Sequence, residues 1–369
     1  MSKDYVVRHY QPGDEREIVD LLQLVFSGWP HLSLNYSSLD YWKWRYDDYY
    51  LQNKMILVCE NKDGSIIGCA HTHPKRIKIG EKIYMCCTGQ DLAVHPDYQG
   101  QGIGSKIIKQ LQKWKANSNI EISFYDTKNP ILISLAKKRY LIFPFLQMVY
   151  SRIHDIDLHL KKNPVKHNRV TKYSYNFLKI FNKLKNDIII DSLINNNNVI
   201  IKEIDTFDYK IDIFWEGIKK QYNFIENIDK KLLNWRYCDK RGGNYIIRMI
   251  EENEAILGYI VFCINKYNRD YPVGCIVDLL AIPGRPDIEE MLILNSLEFL
   301  NEQEINIIQC LVVKNHHLKK ILQKNGFVYS RKNLFSYYEI SSHVGADLIK
   351  FEKSIPDNIH IPFGFYDWI

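Results

Sequence analysis

The sequence predicts an α/β (α+β) chain of two tandem mixed central sheets, each flanked by helices. Three observations carry this expectation. Apolar runs of strand length alternate with helical apolar stripes in each half of the chain. The halves repeat: Asp40-Tyr-Trp-Lys-Trp-Arg-Tyr46 is echoed by Asp229-Lys-Lys-Leu-Leu-Asn-Trp-Arg-Tyr237, and the elements that follow come in the same order. A length of 369 residues is too great for one ordinary domain and suits two.

Taken in order, Tyr5-Val-Val-Arg-His9 is a first strand. Gln11-Pro-Gly-Asp14 turns the chain into a helix with Ile18, Leu21, Leu22, Val25 and Phe26 on one face. Tyr36-Ser-Ser-Leu39 opens a second, short helix through Tyr41–Tyr46. Met55–Cys59 and Ile66–His71 flank Asn61-Lys-Asp-Gly64, a hairpin closed by an Asp-Gly turn. Ile83–Val94 is the next strand and runs into a glycine-rich loop and a helix carrying Ile107, Ile108 and Leu111. Ile120–Tyr125 is a further strand, Asn129-Pro130 caps a helix through Leu132, Leu135 and Ala136, and Phe145–Tyr150 is expected to close the first sheet.

A basic stretch from Lys161 to Lys172 follows, then a basic amphipathic helix over Tyr173–Lys185 and a polar spacer at Asn195–Asn198. The expected organisation is a first domain at 1–155, a linker with that helix at 156–199, and a second domain at 200–369. In the second, Tyr245–Ile250 and Ile256–Val261 echo the first hairpin, with Gly258 at the place of Gly68. Asp278-Leu-Leu-Ala281 falls where Asp91-Leu-Ala-Val94 falls. The helix Met291–Leu300, the strand Ile305–Val313 and His316–Asn325 before Gly326-Phe327 complete the order.

Composition narrows the class. With 46% apolar and 25% charged residues the chain is globular, and a net charge of +6 suits an anionic ligand without arguing for nucleic acid. No apolar run is long enough to span a bilayer, and Met1-Ser-Lys-Asp lacks a signal-peptide core, so a cytoplasmic protein is expected. The eight cysteines include no Cys-x-x-Cys pair, and neighbours Cys86 and Cys87 cannot easily bridge. Reduced, buried thiols are expected, with no metal and no disulfide framework.

The chemistry centres on Asp91 to Ser105. Leu92, Ala93 and Val94 end a strand, His95-Pro-Asp-Tyr98 turns, and Gly100, Gly102 and Gly104 precede a helix. Glycines let backbone N–H groups converge beside the positive end of a helix, an arrangement that binds phosphate or pyrophosphate. A dinucleotide fingerprint needs Gly-x-Gly-x-x-Gly, and a P-loop needs Gly-Lys-Ser/Thr; Gly-x-Gly-x-Gly followed by Ser105-Lys106 is neither. The bland alternative is a glycine turn that only joins strand to helix, and the strand before and amphipathic helix after weigh against it.

At these residues the chain resembles the GNAT superfamily of acyl-CoA-dependent N-acyltransferases. Their signature, Gln/Arg-x-x-Gly-x-Gly/Ala after a strand ending in Val-x-Pro, is met by Gln99-Gly-Gln-Gly-Ile-Gly104 after Val94-His95-Pro96. The order of elements agrees in both halves. In the second, however, Ile282-Pro-Gly-Arg-Pro-Asp-Ile288 keeps one glycine, and Pro286 removes an N–H. The chain is expected to be a tandem of GNAT-like folds, the first intact and the second degenerate.

The resemblance implies direct attack of an amine on the thioester carbonyl, with thiolate leaving. It implies that the main chain of Leu92, Ala93 and Val94 pairs with the pantetheine arm, and that a backbone N–H there polarises the carbonyl. It further implies that Gln99, Gly100, Gln101, Gly102, Ile103, Gly104 and Ser105 hold the pyrophosphate, with Asn129 near the cofactor arm. Asp91 stands where relatives often place an acid acting through water; the rival reading is a structural carboxylate, which Asp278 in the degenerate copy favours. If the strand is regular, Gln90 points to the opposite face from Asp91 and is a candidate to contact substrate.

His71 and His73, two apart on the preceding strand, are candidates to deprotonate the amine or line its pocket, against a reading as a surface or core histidine pair; a metal would need a third ligand. Many relatives protonate the thiolate with a tyrosine of the penultimate helix. Here Tyr140 stands at that helix's end, where relatives have Gly-Phe, and Tyr125 is a weak substitute. Trp44-Arg45-Tyr46 either borders the acceptor pocket or packs the fold, and its return at Trp235–Tyr237 favours packing.

The expected function is transfer of an acetyl group from acetyl-CoA to a primary amine of a small molecule, such as an amino sugar, or of a peptide. Two alternatives stand beside it. One is a tandem transferase with another acyl or an aminoacyl donor; the intact pyrophosphate loop counts against aminoacyl-tRNA. The other is a non-enzymatic acyl-CoA-binding or scaffold protein.

Overall fold

The computed structural model describes residues 5–48, 51, 55–127, 133–134, 137, 141–142, 147–162, 199–330, 335–340 and 358–366. The helix expected at Tyr173–Lys185, Asn129 and Tyr140 lie outside them. The chain divides into two compact units, each with its own sheet: Met1–Pro144 with Phe224–Asn227 and Leu334–Pro356, and Phe145–Asn223 with Ile228–Asn333 and Asp357–Ile369.

In the first unit, β1 (Tyr5–His9) leads to α1 (Glu15–Phe26), whose buried face is Ile18, Val19, Leu21 and Leu22. Glu15 and Glu17 sit favourably at its positive end. Helix α2 (Ser38–Trp42) starts at a capping box in which the Ser37 hydroxyl accepts from Asp40 N and Asp40 accepts from Ser37 N. It runs on as a single π-helical turn, Lys43–Asp47, that buries Trp44, Arg45 and Tyr46. Then come β2 (Ile56–Asn61), β3 (Ile66–Ile79), β4 (Lys82–Val94), α3 (Ile103–Ala116), β5 (Ile122–Thr127) and β6 (Leu141–Ile142). The β2–β3 turn is closed by Asn61, whose side-chain oxygen accepts from Asp63 N and Ser65 N, and by Gly64 at φ 83°.

In the second unit follow β7 (Gln147–Ile153), α4 (Ile156–Lys162), β8 (Val199–Glu203) and α5 (Lys210–Ile218). The short β9 (Phe224–Glu226) returns to the first unit. The second unit continues with α6 (Lys230–Leu233), a π turn at Asn234–Cys238, β10 (Tyr245–Glu252), β11 (Ala255–Asn265), β12 (Val273–Ala281), α7 (Pro286–Glu302), β13 (Ile307–Val313), α8 (Leu318–Lys324) and β14 (Val328–Tyr329). β15 (Phe335–Ile340) belongs again to the first unit.

The first sheet has the order β1-β2-β3-β4-β5-β15-β6, with β9 also beside β3; the second has β14-β7-β13-β12-β11-β10-β8. Within each, among the described residues, one pair is parallel, β4 with β5 and β12 with β13. The cores are equivalent: Leu57, Cys59, Ile67, Ile103 and Ile107 in the first, and Ile260, Phe262, Ile288, Leu292 and Leu300 in the second.

The strand after each parallel pair corrects the sequence reading. Phe145–Tyr150 was expected to close the first sheet, but β7 pairs antiparallel with β13 in the second, Ile307↔Ile153 through Val313↔Gln147. The place beside β5 is taken instead by β15, Phe335↔Thr127 through Ile340↔Ile122. The compact units are therefore interleaved in sequence rather than bounded at residues 155 and 200. Ladder hydrogen bonds are made by main-chain groups that every strand carries, so nothing local marks which of two like sheets a strand will join.

The repeat extends to fine detail. The Trp-Arg-Tyr triplet lies on a π turn in both units. Both unit-one β4 and unit-two β12 carry an irregularity in their pairing beside an aspartate, Asp91 and Asp278. Gly68 and Gly258 each lie against the helix that follows: an added Cβ would stand 3.1 Å from Ile103 Cγ2 in one and from Ile288 Cγ2 in the other.

Candidate active site

The site is built on β4. Opposite β3 its register runs Gly68↔Val94 and Cys69↔Ala93, then jumps to His71↔Gln90, leaving an extra residue on β4. Asp91 takes a left-handed conformation at φ 46° to absorb it, the backbone of a β-bulge. On its other edge β4 pairs with β5 only at Cys86↔Ile122, Cys87↔Ser123 and Thr88↔Phe124. Beyond Thr88 the two parallel strands part, and among the described residues no strand pairs with that edge of β4.

Which amides face the gap follows from alternation. His95 N donates to Ile67 O of β3 at 2.9 Å, so the N–H groups of Val94 and Leu92 point the other way, into the gap. Ala93 points toward β3 and is buried. The gap thus offers a two-residue strip of main chain with which an extended chain can pair.

The glycine loop lies at the open end of this strip. Pro96–Tyr98 makes one 3-10 turn, entered by His95, whose ring accepts from Asp97 N. Gln99 reaches back with Nε2 to Val94 O at 3.1 Å, and Gln101 Nε2 to Asp97 O at 3.3 Å, which shapes the turn. Gly100 and Gly102 have φ of 78° and 81°, so a side chain at either would be strained. Gly102 is the N-cap of α3, and among the described residues no side chain caps the helix. The first-turn amides of Ile103, Gly104 and Ser105 consequently carry no intrahelical partner, as an anion requires. Gly104 has ordinary φ, and a Cβ there would meet only Val94 Cγ2 at 3.8 Å. Two of the three glycines are demanded by the backbone, and the third leaves space.

Around the bulge the π turn supplies the partners. Tyr46 donates to Asp91 Oδ2 at 2.5 Å, and Arg45 Nη2 donates to Gln90 Oε1 at 2.5 Å and Nη1 to Tyr41 Oη at 2.6 Å. Gln90 and Asp91 are both held by this one segment. The expectation that they face opposite sides is corrected: it assumed a regular strand, and the left-handed Asp91 breaks the alternation.

His71 is fully buried. Its Nε2 accepts from Trp42 Nε1 at 3.1 Å, and its ring stacks on Tyr46 with centroids 4.1 Å apart. Burial lowers its pKa to about 4, partly opposed by the charge of Asp91, so the ring is neutral at neutral pH. His73 is also buried, with its ring edge-on to Tyr46 at 6.4 Å. Burial raises the Tyr46 hydroxyl well above its ordinary range, which keeps it a proton donor.

At the vertex of the gap, Gly89 receives the ring of Tyr125 from β5, and Lys115 Nζ of α3 donates to Tyr125 Oη at 2.5 Å. The Lys115 contact has no sequence signal, since its partner belongs to another element. The Tyr46–Asp91 contact does have one: both residues recur at matching places in the second half.

The second unit shows the same frame with a different filling. Asp278 accepts from Tyr259 at 3.0 Å, Tyr237 at 3.4 Å and His360 Nε2 at 2.9 Å, and is 5% exposed. Leu318 N donates to His316 Nδ1, which leaves His316 Nε2–H to donate to His360 Nδ1, and His360 to donate to Asp278. β12 and β13 part after Ile276↔Cys310, and the pocket there is lined in part by His360, Ile361 and Pro362. Among the described residues no group of three or more His, Cys, Asp or Glu is placed to hold a metal ion, and no helix is long and apolar enough to cross a membrane.

Two parallel strands parting at a bulge, beside a glycine turn and an uncapped helix, define the class: the chain has the fold of the GNAT-type acyltransferases, with two such sheets. The chain is similar in fold to a conserved Enterococcus faecalis protein of unknown function described as a probable N-acyltransferase (12% identity, 91% of this chain and 72% of that one, TM-score 0.60). It is similar in fold to Saccharomyces cerevisiae N-myristoyltransferase with bound myristoyl-CoA (10%, 92% and 79%, 0.60) and to a GCN5-related N-acetyltransferase from Anabaena variabilis (14%, 91% and 72%, 0.57). No curated protein sequence matches the chain. Residues 52–138, a segment from just before β2 through the glycine loop to beyond β5, match the acetyltransferase (GNAT) domain family.

Proposed function

We infer that the protein is an acyl-CoA-dependent N-acyltransferase working in its first unit, with acetyl-CoA as donor and a primary amine of a small molecule, such as an amino sugar, or of a peptide as acceptor. The observation that carries this reading is the parting of β4 from β5 beyond Thr88, with the Leu92 and Val94 amides turned into the gap and the glycine turn at its mouth. These residues fit the group: the strip suits an extended amide-bearing arm, and the Gln99–Ser105 turn with the α3 N-terminus suits a pyrophosphate.

Acyl-CoA supplies an activated thioester; the chain's part is to bind it, aim it and move protons. In this reading a main-chain N–H near the bulge donates to the carbonyl oxygen. Asp91 is assigned the base, taking the proton of the attacking amine directly or through water. Its carboxylate has Tyr46 as its single hydrogen-bond partner among the described residues and is part exposed, whereas Asp278 is buried under three donors. That contrast supports reading Asp91 as a working carboxylate and Asp278 as a structural one. His71 has its acceptor nitrogen committed to Trp42, and its role here is to hold Tyr46; His73 backs the same ring. The second unit supports the fold in this reading: Arg285 pairs with Asp287 at 2.7 Å in its shortened loop, and Pro286 opens α7. A cytoplasmic setting belongs to the same reading, with none of the eight cysteines in a disulfide.

Thiol release from acetyl-CoA, scanned over amino sugars, polyamines and peptides, tests the activity. A parallel scan with a long-chain acyl-CoA tests the donor, since one similar fold holds myristoyl-CoA. Failure of the pure protein to bind CoA would overturn the reading; CoA binding without turnover on any amine would favour an acyl-CoA sensor.

A further inference from the structure

We propose that the gap of the second unit is a groove for an extended peptide carrying a histidine, and that the chain's own residues 358–366 are its resident, releasable occupant. This goes beyond the acyl-CoA reading of the first unit and does not depend on it. β12 and β13 part after Ile276↔Cys310, and residues 276–279 and 310–312 line the channel left between them. His360, Ile361 and Pro362 lie in that channel, and Ile359, His360, Ile361, Phe363 and Phe365 are all buried.

The occupant is attached by main chain only near its start. Asn223 N donates to Asn358 O at 2.7 Å, and Ile359 makes a single β-bridge. Pro362 has no N–H to continue a ladder. Beyond that point side chains hold the segment: Arg236 Nε donates to Gly364 O at 3.5 Å. A Cβ at Gly364 would stand 2.1 Å from the Tyr237 oxygen, so passage against the π turn requires glycine. Phe363–Tyr366 then closes as one 3-10 turn. A segment with so little ladder opens on its own at lower cost than the strands beneath it.

His360 is the recognised side chain. Its Nε2 donates to Asp278 Oδ1 at 2.9 Å, and its Nδ1 accepts from His316 Nε2 at 3.2 Å. Both partners are set without it. Leu318 N donates to His316 Nδ1, which leaves Nε2–H aimed at the channel, and the His316 ring stacks on His317, itself bonded to Glu289. Tyr259 and Tyr237 hold Asp278. The unit therefore presents one acceptor and one donor in fixed places. A lysine has no lone pair for His316 and a carboxylate has no hydrogen for Asp278, whereas a neutral imidazole supplies both from opposite edges of its ring. Leu318 N closes the far end of this chain of histidines, so its role is recognition and not proton transfer.

A labelled peptide of residues 357–369, and the same peptide carrying His360→Ala, are titrated into the full chain while hydrogen exchange of the chain is followed. The wild-type peptide is expected to bind and to speed exchange of the chain's residues 358–366 while β12 and β13 stay protected. The His360→Ala peptide should bind about tenfold more weakly. A full-length His360→Ala chain, whose own segment competes less well, should take up the wild-type peptide about tenfold more tightly than wild type does. Full-length His360→Gln, which keeps a donor and an acceptor, should fall between the two. Absence of uptake by the wild-type and His360→Ala chains would overturn the proposal and make the segment a fixed part of the second unit. Equal uptake of the two peptides would overturn recognition through His360. If the His360→Ala chain does not fold, the wild-type chain with the two peptides carries the same comparison.

Discussion

The Tyr46 hydroxyl donates to the Asp91 carboxylate at 2.5 Å, and the second copy keeps the same pair, Tyr237 to Asp278, at 3.4 Å. One tyrosine–aspartate contact has thus been retained by a half with an intact glycine loop and by a half without one. The contact has a structural origin, since it ties the π turn to the bulged strand. Only in the first copy does the carboxylate remain part exposed beside a gap between strands.

Replacing each tyrosine separates these roles. Tyr46→Phe removes the donor that orients Asp91 and is expected to lower kcat about tenfold while CoA affinity stays the same. Tyr237→Phe is expected to leave kcat unchanged and to cost about 1 kcal/mol in stability, because Asp278 keeps two other donors. Calorimetric CoA binding and urea unfolding of both variants check the pair of outcomes; an equal effect on kcat would show that the contact is structural in both halves.

Gly102 and Gly284 both have positive φ, at 81° and 77°. Gly102→Val places a strained side chain where α3 begins and is expected to abolish CoA binding measured by calorimetry. Gly284→Val carries the same backbone strain, about 1–2 kcal/mol, and should lower the thermal midpoint without touching CoA affinity. Retained binding by Gly102→Val would mean that the loop does not hold the pyrophosphate.

His71 makes stability depend on pH. Its folded pKa, about 4, lies below the ordinary value of 6.5, so the unfolded chain binds the proton more readily between them. The contribution is complete above pH 6.5 and is lost as the pH falls toward 4, by about 3 kcal/mol. Buried His316 is shifted the same way and adds to the loss. Urea midpoints taken from pH 7 down to 4 should fall steeply in wild type and less so in His71→Gln.

Gly68 and Gly258 test the likeness of the two copies at the level of packing. A Cβ at Gly258 would lie 2.9 Å from Leu280 O, a main-chain atom that cannot yield, whereas at Gly68 the near atoms, from 3.1 Å, are side-chain carbons of Ile103, Ile107 and Cys59. Both Gly→Ala changes are expected to destabilise, by about 1–3 kcal/mol, with Gly258→Ala the worse. Unfolding midpoints that rank them the other way would contradict the packing described here.

Much of the site was legible before any coordinates. The glycine loop, the strand end Leu92–Val94 and the recurrence of Trp-Arg-Tyr and Asp in both halves are local patterns, and each stands where its spacing puts it. The direction of Gln90 was not legible, because a bulge is a mismatch between two strands and neither strand shows it alone. Nor was the setting of His71: its acceptor nitrogen is committed to Trp42, whose indole reaches it from 29 residues away.

What the sequence by itself determined is the set of elements, the doubling of the chain and the glycine turn at Gln99–Ser105, since helix periodicity, turn glycines and repeats are written in neighbouring residues. What only the tertiary structure decided is which sheet β7 and β15 complete, how Asp91 and Gln90 are aimed, and that Lys115 meets Tyr125 at the vertex. These depend on partners far along the chain. Main-chain pairing also carries no residue identity that could announce them, so they are settled only when the two sheets close.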